Sequence, residues 1–311
     1  MNGPASCARP ALALVMGLVL ITGALTGAEA QEMEPRAYSN SPVGFNFFLA
    51  GYTYSLGGLS VDPSLSVQDA QLRIHSGVFA YVRALNLWGK SGKVDVVLPL
   101  LELSGTGTVA GQTAERKISG FGDPRLRLSI NLYGAPALSM KEFAGYKKEL
   151  VIGASLQASL PLGQYDSSKA INLGTNRWWI RADVGLSKAL RKFTLDVTTS
   201  AALYRRNDDY LGGKTLEQSP IYAAQANLSY DFGGDVWAAL GTTYYRGGRT
   251  MLNGDVNSSP LGNSRVGAEL VLPLNRYQSI KLTHSRGVYT RTGTAFSVFG
   301  IAWQYRWGAG Y

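Results

Sequence analysis

The chain holds a single cysteine, Cys7, and two histidines, His75 and His284. One cysteine cannot close an intramolecular disulfide. Cys7 also lies in a segment expected to be removed on export, so thiolate chemistry and cysteine-ligated metals are excluded from the mature chain. The histidines stand far apart, which argues against a multi-histidine metal site. Charged residues make up 16% of the sequence, against roughly 25% in an ordinary globular domain. No apolar run after the first thirty residues reaches the length of a membrane-spanning helix. The net charge is +9, yet the basic residues are scattered singly, without the clustered stripe or motif of a nucleic-acid binder.

The N-terminus is richer in signal. "MNGPASCARP" carries Arg9 and no acid. An uncharged apolar run of about 17 residues follows, at the lower limit for a membrane span. Ala28-Glu29-Ala30 then places small residues where a signal peptidase reads. The order predicts a cleaved signal peptide over residues 1–30, in preference to a membrane anchor. It leaves 31–42 as a periplasmic lead-in and 43–311 as one domain.

That domain alternates. "PRLRLSINL" sets Leu126, Leu128, Ile130 and Leu132 against Arg125, Arg127, Ser129 and Asn131. "WWIRADVGLS" sets Trp178, Ile180, Ala182, Val184 and Leu186 against Arg181, Asp183, Gly185 and Ser187. The final strand sets Phe299, Ile301, Trp303, Tyr305 and Trp307 against Gly300, Ala302, Gln304 and Arg306. Alternation over about ten residues, repeated between turn signals, marks a transmembrane β-barrel. A soluble sandwich alternates too, with its apolar face inward. Here the second face is Gly, Ser, Thr, Asn and lone charges, which suits a watery lumen. The spacing predicts an all-β, antiparallel, up-and-down barrel of about twelve strands, near 43–55, 71–88, 93–103, 122–133, 148–160, 178–188, 193–205, 221–232, 236–246, 264–273, 279–287 and 293–307. Short and long connections mostly alternate, as periplasmic turns and outer loops do. One expected turn, "YGAPALSMKEFAGYKK", is long enough for a short helix, and 104–121 reads as an outer loop.

The candidate lumen residues follow from the phase of each strand. They are Arg73, Arg83, Lys93, Arg125, Arg127, Asn131, Arg181, Arg265, Lys281 and Arg306, with Asp95, Asp183, Asp196, Asp231 and Glu269. The basic side chains outnumber the acidic ones, and inward charge of one sign tunes a pore toward the other. The competing reading is an Arg–Asp network that fills a narrow interior. Trp178, Trp237, Trp303, Tyr305 and Trp307 are expected at the membrane interfaces, where Trp and Tyr concentrate. "GFGDP" and "LGTNRWW" read as turns, with Gly and Asn or Asp supplying the backbone freedom. A hydrolase on the barrel wall would need a histidine beside a serine. His284 and Ser285 are adjacent on a strand and so point to opposite faces.

The segments "PRAYSNSPVGFNFFLAGYTYS", "SGFGDPRLRLSINLYGAPAL", "PLGQYDSSKAINLGTNRWWIR", "QANLSYDF", "YYRGGRT", "NSRVGAELVLPL" and "AWQYRW" fall in order along nearly the whole mature chain. Together they resemble the transporter-like outer-membrane family described as "putative meta-pathway of phenol degradation". The resemblance implies a barrel linked by name to aromatic compounds, and it brings no catalytic residues. The expectation is an outer-membrane channel for small aromatic or hydrophobic solutes, with a mildly cationic lumen, no cofactor and no enzymatic activity. The alternative is a plugged barrel with a structural role. Expected partners are the solute, outer-membrane lipid and lipopolysaccharide, and the barrel-assembly machinery during biogenesis.

Overall fold

The computed structural model describes residues 33–58, 67–109, 112–169, 171–256, 259–291 and 296–310. The expected signal peptide, 1–30, lies outside the described residues. The strands are β1 (Phe45–Gly58), β2 (Val67–Leu87), β3 (Lys90–Val109), β4 (Gln112–Phe121), β5 (Arg125–Tyr133), β6 (Leu150–Ser159), β7 (Trp179–Leu190), β8 (Phe193–Tyr204), β9 (Asn207–Tyr210), β10 (Lys214–Gln218), β11 (Ile221–Gly233), β12 (Val236–Gly247), β13 (Thr250–Leu252), β14 (Asp255–Val256), β15 (Leu261–Pro273), β16 (Gln278–Thr290) and β17 (Phe296–Gly308).

Every large-sheet neighbour pair is antiparallel, and β1 pairs with both β2 and β17. The sheet therefore closes on itself and leaves no edge, which is what backbone polar groups require in hydrocarbon. β4 pairs with the outer half of β3 and β5 with its inner half. They are one barrel strand interrupted at residues 122–124, so the barrel has twelve staves. β9, β10, β13 and β14 form a separate small sheet in the long connections.

The burial pattern decides between sandwich and membrane barrel. Along β7 burial alternates residue by residue, but the buried side chains are Arg181, Asp183 and Ser187, while Ile180 and Val184 are exposed. The same inversion holds on β5, where Arg125, Arg127, Ser129 and Asn131 are buried and Leu126 and Leu128 exposed. An outer surface this apolar is the lipid-facing band of a membrane barrel.

β1 begins and β17 ends at one rim, with Phe45 opposite Gly308. That rim carries the short turns, which lie on the periplasmic side in outer-membrane barrels. Between β2 and β3 the turn is Trp88-Gly89, both at positive φ, as a two-residue hairpin matched to strand twist needs. The long turn between β5 and β6 carries α1 (Met140–Phe143), closed by a reciprocal cap between Ser139 and Glu142. The Ser139 hydroxyl and backbone N–H hold the Glu142 carboxyl below its ordinary value. At the other rim the expected loop 104–121 is instead a hairpin that extends β3 and β4 beyond the barrel body.

Candidate functional site: a constricted lumen

Of the expected periplasmic lead-in, 31–42, the described residues 33–42 lie inside the barrel. Glu34 is 8% exposed and Arg36 1%. Arg127 Nη1 of β5 donates to Glu34 Oε2 at 2.6 Å, and Arg181 Nη2 of β7 donates to Oε1 at 2.8 Å. The Glu34 backbone N–H donates to Gln225 of β11 at 3.1 Å. The Arg36 backbone N–H donates to Asp196 of β8 at 3.0 Å, and its guanidinium sits 4.4 Å from the centre of the Trp237 ring of β12. Lys93 donates to the Ala37 carbonyl at 3.2 Å. One short segment thus reaches β3, β5, β7, β8, β11 and β12.

Each end of the contact is itself braced. Asp95 lies 3.6 Å from Arg127 Nε, and Asp183 lies 3.0 Å from Arg181 Nε. A charge-assisted, two-sided grip of this kind is stronger and more directional than a neutral hydrogen bond. Tyr38 lies flat on Gly153 of β6 and Gly185 of β7, which face each other in register. A Cβ built on either glycine overlaps the Tyr38 ring. Glycine inside a strand marks a close approach by another group. The double variant G153A/G185A is expected to dislodge the ring and raise channel conductance; bilayer recordings at wild-type level would show that Tyr38 does not hold the segment.

Two recesses flank the segment. One is lined by Glu34, Tyr38, Arg181, Asp183, Thr198, Ser200 and Gln225. The other opens toward the short-turn rim between Arg36, Trp237, Lys281, Gln304 and Arg306. At that rim burial raises the Asp235 carboxyl, and the charge of Arg306 pulls it back.

The lumen wall is two-sided. On β1 and β2 the inward residues include Phe45, Phe47, Leu49, Val78, Ala80 and Val82, continued by Val97 of β3, with Phe143 of α1 packed on them, while nearer the short-turn rim β3 turns Lys93 and Asp95 inward. Across the barrel, β7, β8 and β11 present Arg181, Asp183, Thr194, Asp196, Gln225, Asn227 and Ser229.

The long loop between β6 and β7 folds inward over the second rim. Leu173 and Ile171 pack on Leu72, Leu101 and Leu103. Asp123 fixes the fold, accepting from the Gly163 N–H at 2.8 Å, the Thr175 N–H at 2.8 Å and the Thr175 hydroxyl at 2.7 Å. Gly122, Gly163 and Gly174 stack backbone to backbone, and a Cβ on Gly163 would fall 2.7 Å from the Gly122 carbonyl carbon. The two stretches expected as separate turns, "GFGDP" and "LGTNRWW", therefore form one latch. Asp123→Ala removes three bonds to a charged acceptor, about 1.5–3 kcal/mol each. Tryptic cleavage after the exposed Lys169 is expected to accelerate strongly, and an unchanged digestion rate would overturn that role for Asp123.

Among the expected lumen residues, Lys93, Asp95, Arg125, Arg127, Asn131, Arg181, Asp183, Asp196, Arg265, Glu269, Lys281 and Arg306 are buried on inward faces. Asp231 is partly buried, 4.0 Å from Arg36. Lys281 pairs with Glu269 at 2.7 Å, and Arg265 donates to Ser285 at 2.9 Å. Arg73 and Arg83 are corrected: both are exposed, on the outward face of β2 with Phe79 and Tyr81. The phase fails there because the inward face of β2 is itself apolar, while each arginine lies toward one end of a long strand. Long basic side chains near a membrane interface extend to the polar layer. Trp237 is also corrected, since it is 3% exposed and faces the lumen beneath Arg36. Trp178, Tyr305 and Trp307 are exposed, and Trp303 shares their outward face beside Phe48. His284 stacks on Phe299 on the outside, while Ser285 meets Arg265 inside. Among the described residues no group of three or more His, Cys, Asp or Glu is placed to hold a metal ion.

A family model described as "Putative MetA-pathway of phenol degradation" matches residues 57–304. Among solved structures, an outer membrane channel from Pseudomonas putida F1 is 20% identical over 89% of this chain and 100% of its own, with a TM-score of 0.75. The β domain of the Bordetella autotransporter BrkA is 9% identical over 85% of this chain and 100% of its own, with a TM-score of 0.51. At these identities both likenesses show the fold. No curated protein matches.

Proposed function

Because the chain belongs to the MetA-pathway phenol-degradation family, we propose that it is an outer-membrane channel for passive or facilitated uptake of small aromatic or hydrophobic solutes. The observation that carries this reading is the two-sided lumen: an apolar wall centred on β1 and β2 facing a charged, hydrogen-bonding wall on β7, β8 and β11. A phenol or an aromatic carboxylate has one apolar and one polar edge, so such a passage suits both at once. The family description concerns phenol degradation, and the similar Pseudomonas putida F1 protein is an outer membrane channel. A mildly cationic lining is supported by the inward Arg36, Lys93, Arg125, Arg127, Arg181, Arg265, Lys281 and Arg306, set against Glu34, Asp95, Asp183, Asp196, Asp231 and Glu269. Rings of such residues favour anions. A wall-mounted hydrolase gains no support, since His284 and Ser285 face opposite sides. Assembly would rely on the barrel-assembly machinery reading the aromatic terminal strand, and the mature lead-in would begin after signal cleavage before Gln31.

The second reading, a plugged barrel with a structural role, is favoured by one observation, the seating of residues 33–42. Single-channel recording of the purified barrel, with ion selectivity and competition by phenols and benzoates, separates the two. A conductance that these solutes block supports the channel. No conductance, together with unchanged uptake in a deletion strain, sinks it.

A further inference from the structure

The outward face of the seam carries an unassigned feature. Register rows run continuously across β16, β17, β1 and β2. One row is Leu282, Ile301, Tyr52 and Gly77; the next is His284, Phe299, Tyr54 and His75; the next is Arg286, Ser297, Leu56 and Arg73. Moving toward the long-loop rim, the surface passes from apolar to histidine and aromatic, and then to arginine. Successive rows on one face are two residues, about 7 Å, apart. Arg286 and Arg73 are both exposed. They are separated by three strand spacings, about 14 Å. β16, β17, β1 and residues 71–87 of β2 contain no acidic residue. On β3, by contrast, Glu102 pairs outward with Lys117. The seam is thus an acid-free panel with two arginines above an apolar bed.

We propose that this panel binds the phosphorylated headgroup of lipid A in the outer leaflet, Arg73 and Arg286 each taking a phosphate while acyl chains lie along Leu282, Ile301 and Tyr52. The charge complementarity selects this occupant. A headgroup with two separated phosphates matches two separated guanidiniums, each of which can bind phosphate in a bidentate fashion. His75 is fixed beside the site by a 2.5 Å hydrogen bond to Tyr52.

The test measures binding of bisphosphorylated lipid A to the purified, folded barrel by native mass spectrometry. Dephosphorylated lipid A and phosphatidylglycerol serve as the other arms, and heat-dependent gel mobility reports folding. Basic residues facing an anionic lipid surface contribute about 1 kcal/mol each. R73A/R286A is therefore expected to bind about thirtyfold more weakly than wild type, and the single variants R73Q and R286Q about fivefold. R83A, on the same face of β2 at the opposite end, is expected to bind as wild type does. Wild-type affinity in the double variant, or in both single variants if the double fails to fold, would overturn the proposal. So would phosphatidylglycerol binding as tightly as lipid A.

Discussion

Deletion of Met33–Pro42 is expected to raise single-channel conductance several-fold while leaving the barrel folded. The segment is the one described element that bridges β5, β7, β8, β11 and β12 across the lumen. Nothing in the strand ladder depends on it. Barrel closure rests on thirteen paired positions between β1 and β17. The first contacts of the chain beyond the deletion, Val43 N–H to Leu138 and Gly44 N–H to Ala84, remain. Planar bilayer recordings check the conductance, and heat-modifiable mobility checks the fold. A folded deletion variant with wild-type conductance would show that the constriction lies elsewhere, with the inward loop between β6 and β7 the next candidate.

Neutralising Glu34 separates the electrostatic role of the segment from its bulk. In E34Q the side chain keeps its volume, and Arg127 and Arg181 keep Asp95 and Asp183. The constriction gains one positive charge, so anions gain over cations. A unit charge about 4 Å away in water is worth about 1 kcal/mol. The anion-to-cation permeability ratio is accordingly expected to rise about fivefold. The reversal potential in a salt gradient measures it directly. A shift toward cations, or none, would mean that permeant ions do not pass beside Glu34.

How far the sequence reveals this molecule depends on the wall. On β5 and β7 the lumen face is Arg, Asp, Ser and Asn against Leu, Ile and Val, so period-two reading places each side chain correctly. On β2 both faces are mixed, because Val78, Ala80, Val82 and Ala84 line an apolar lumen wall while Arg73 and Arg83 reach the membrane interfaces. Hydropathy cannot phase such a strand. Trp237 fails for a related reason, as "VWAAL" is apolar at every position and only the partner Arg36 reveals its side. The lumen segment itself is illegible locally: "MEPRAYSNSP" alternates nothing, and its partners lie far along the chain, from Lys93 to Trp237. Gly153 and Gly185 were the available trace, two inward glycines paired in register where any side chain would have filled the wall. The Asp123 latch was half visible. Its two halves each read as turns, but what joins them is a contact 52 residues long.

Those long separations carry a consequence for biogenesis. The segment stands immediately before β1, the first strand, yet it binds side chains from β5, β7, β8 and β11, which are synthesised long after it. Contacts between residues so distant in sequence form late, because the intervening chain must be ordered first. Its docking site therefore comes into existence only when the sheet has curled far enough to bring those staves to face one another. A half-assembled sheet offers the segment nothing to hold. The seated segment is in this sense a record of completion, and its protection from added protease would date the last step of assembly.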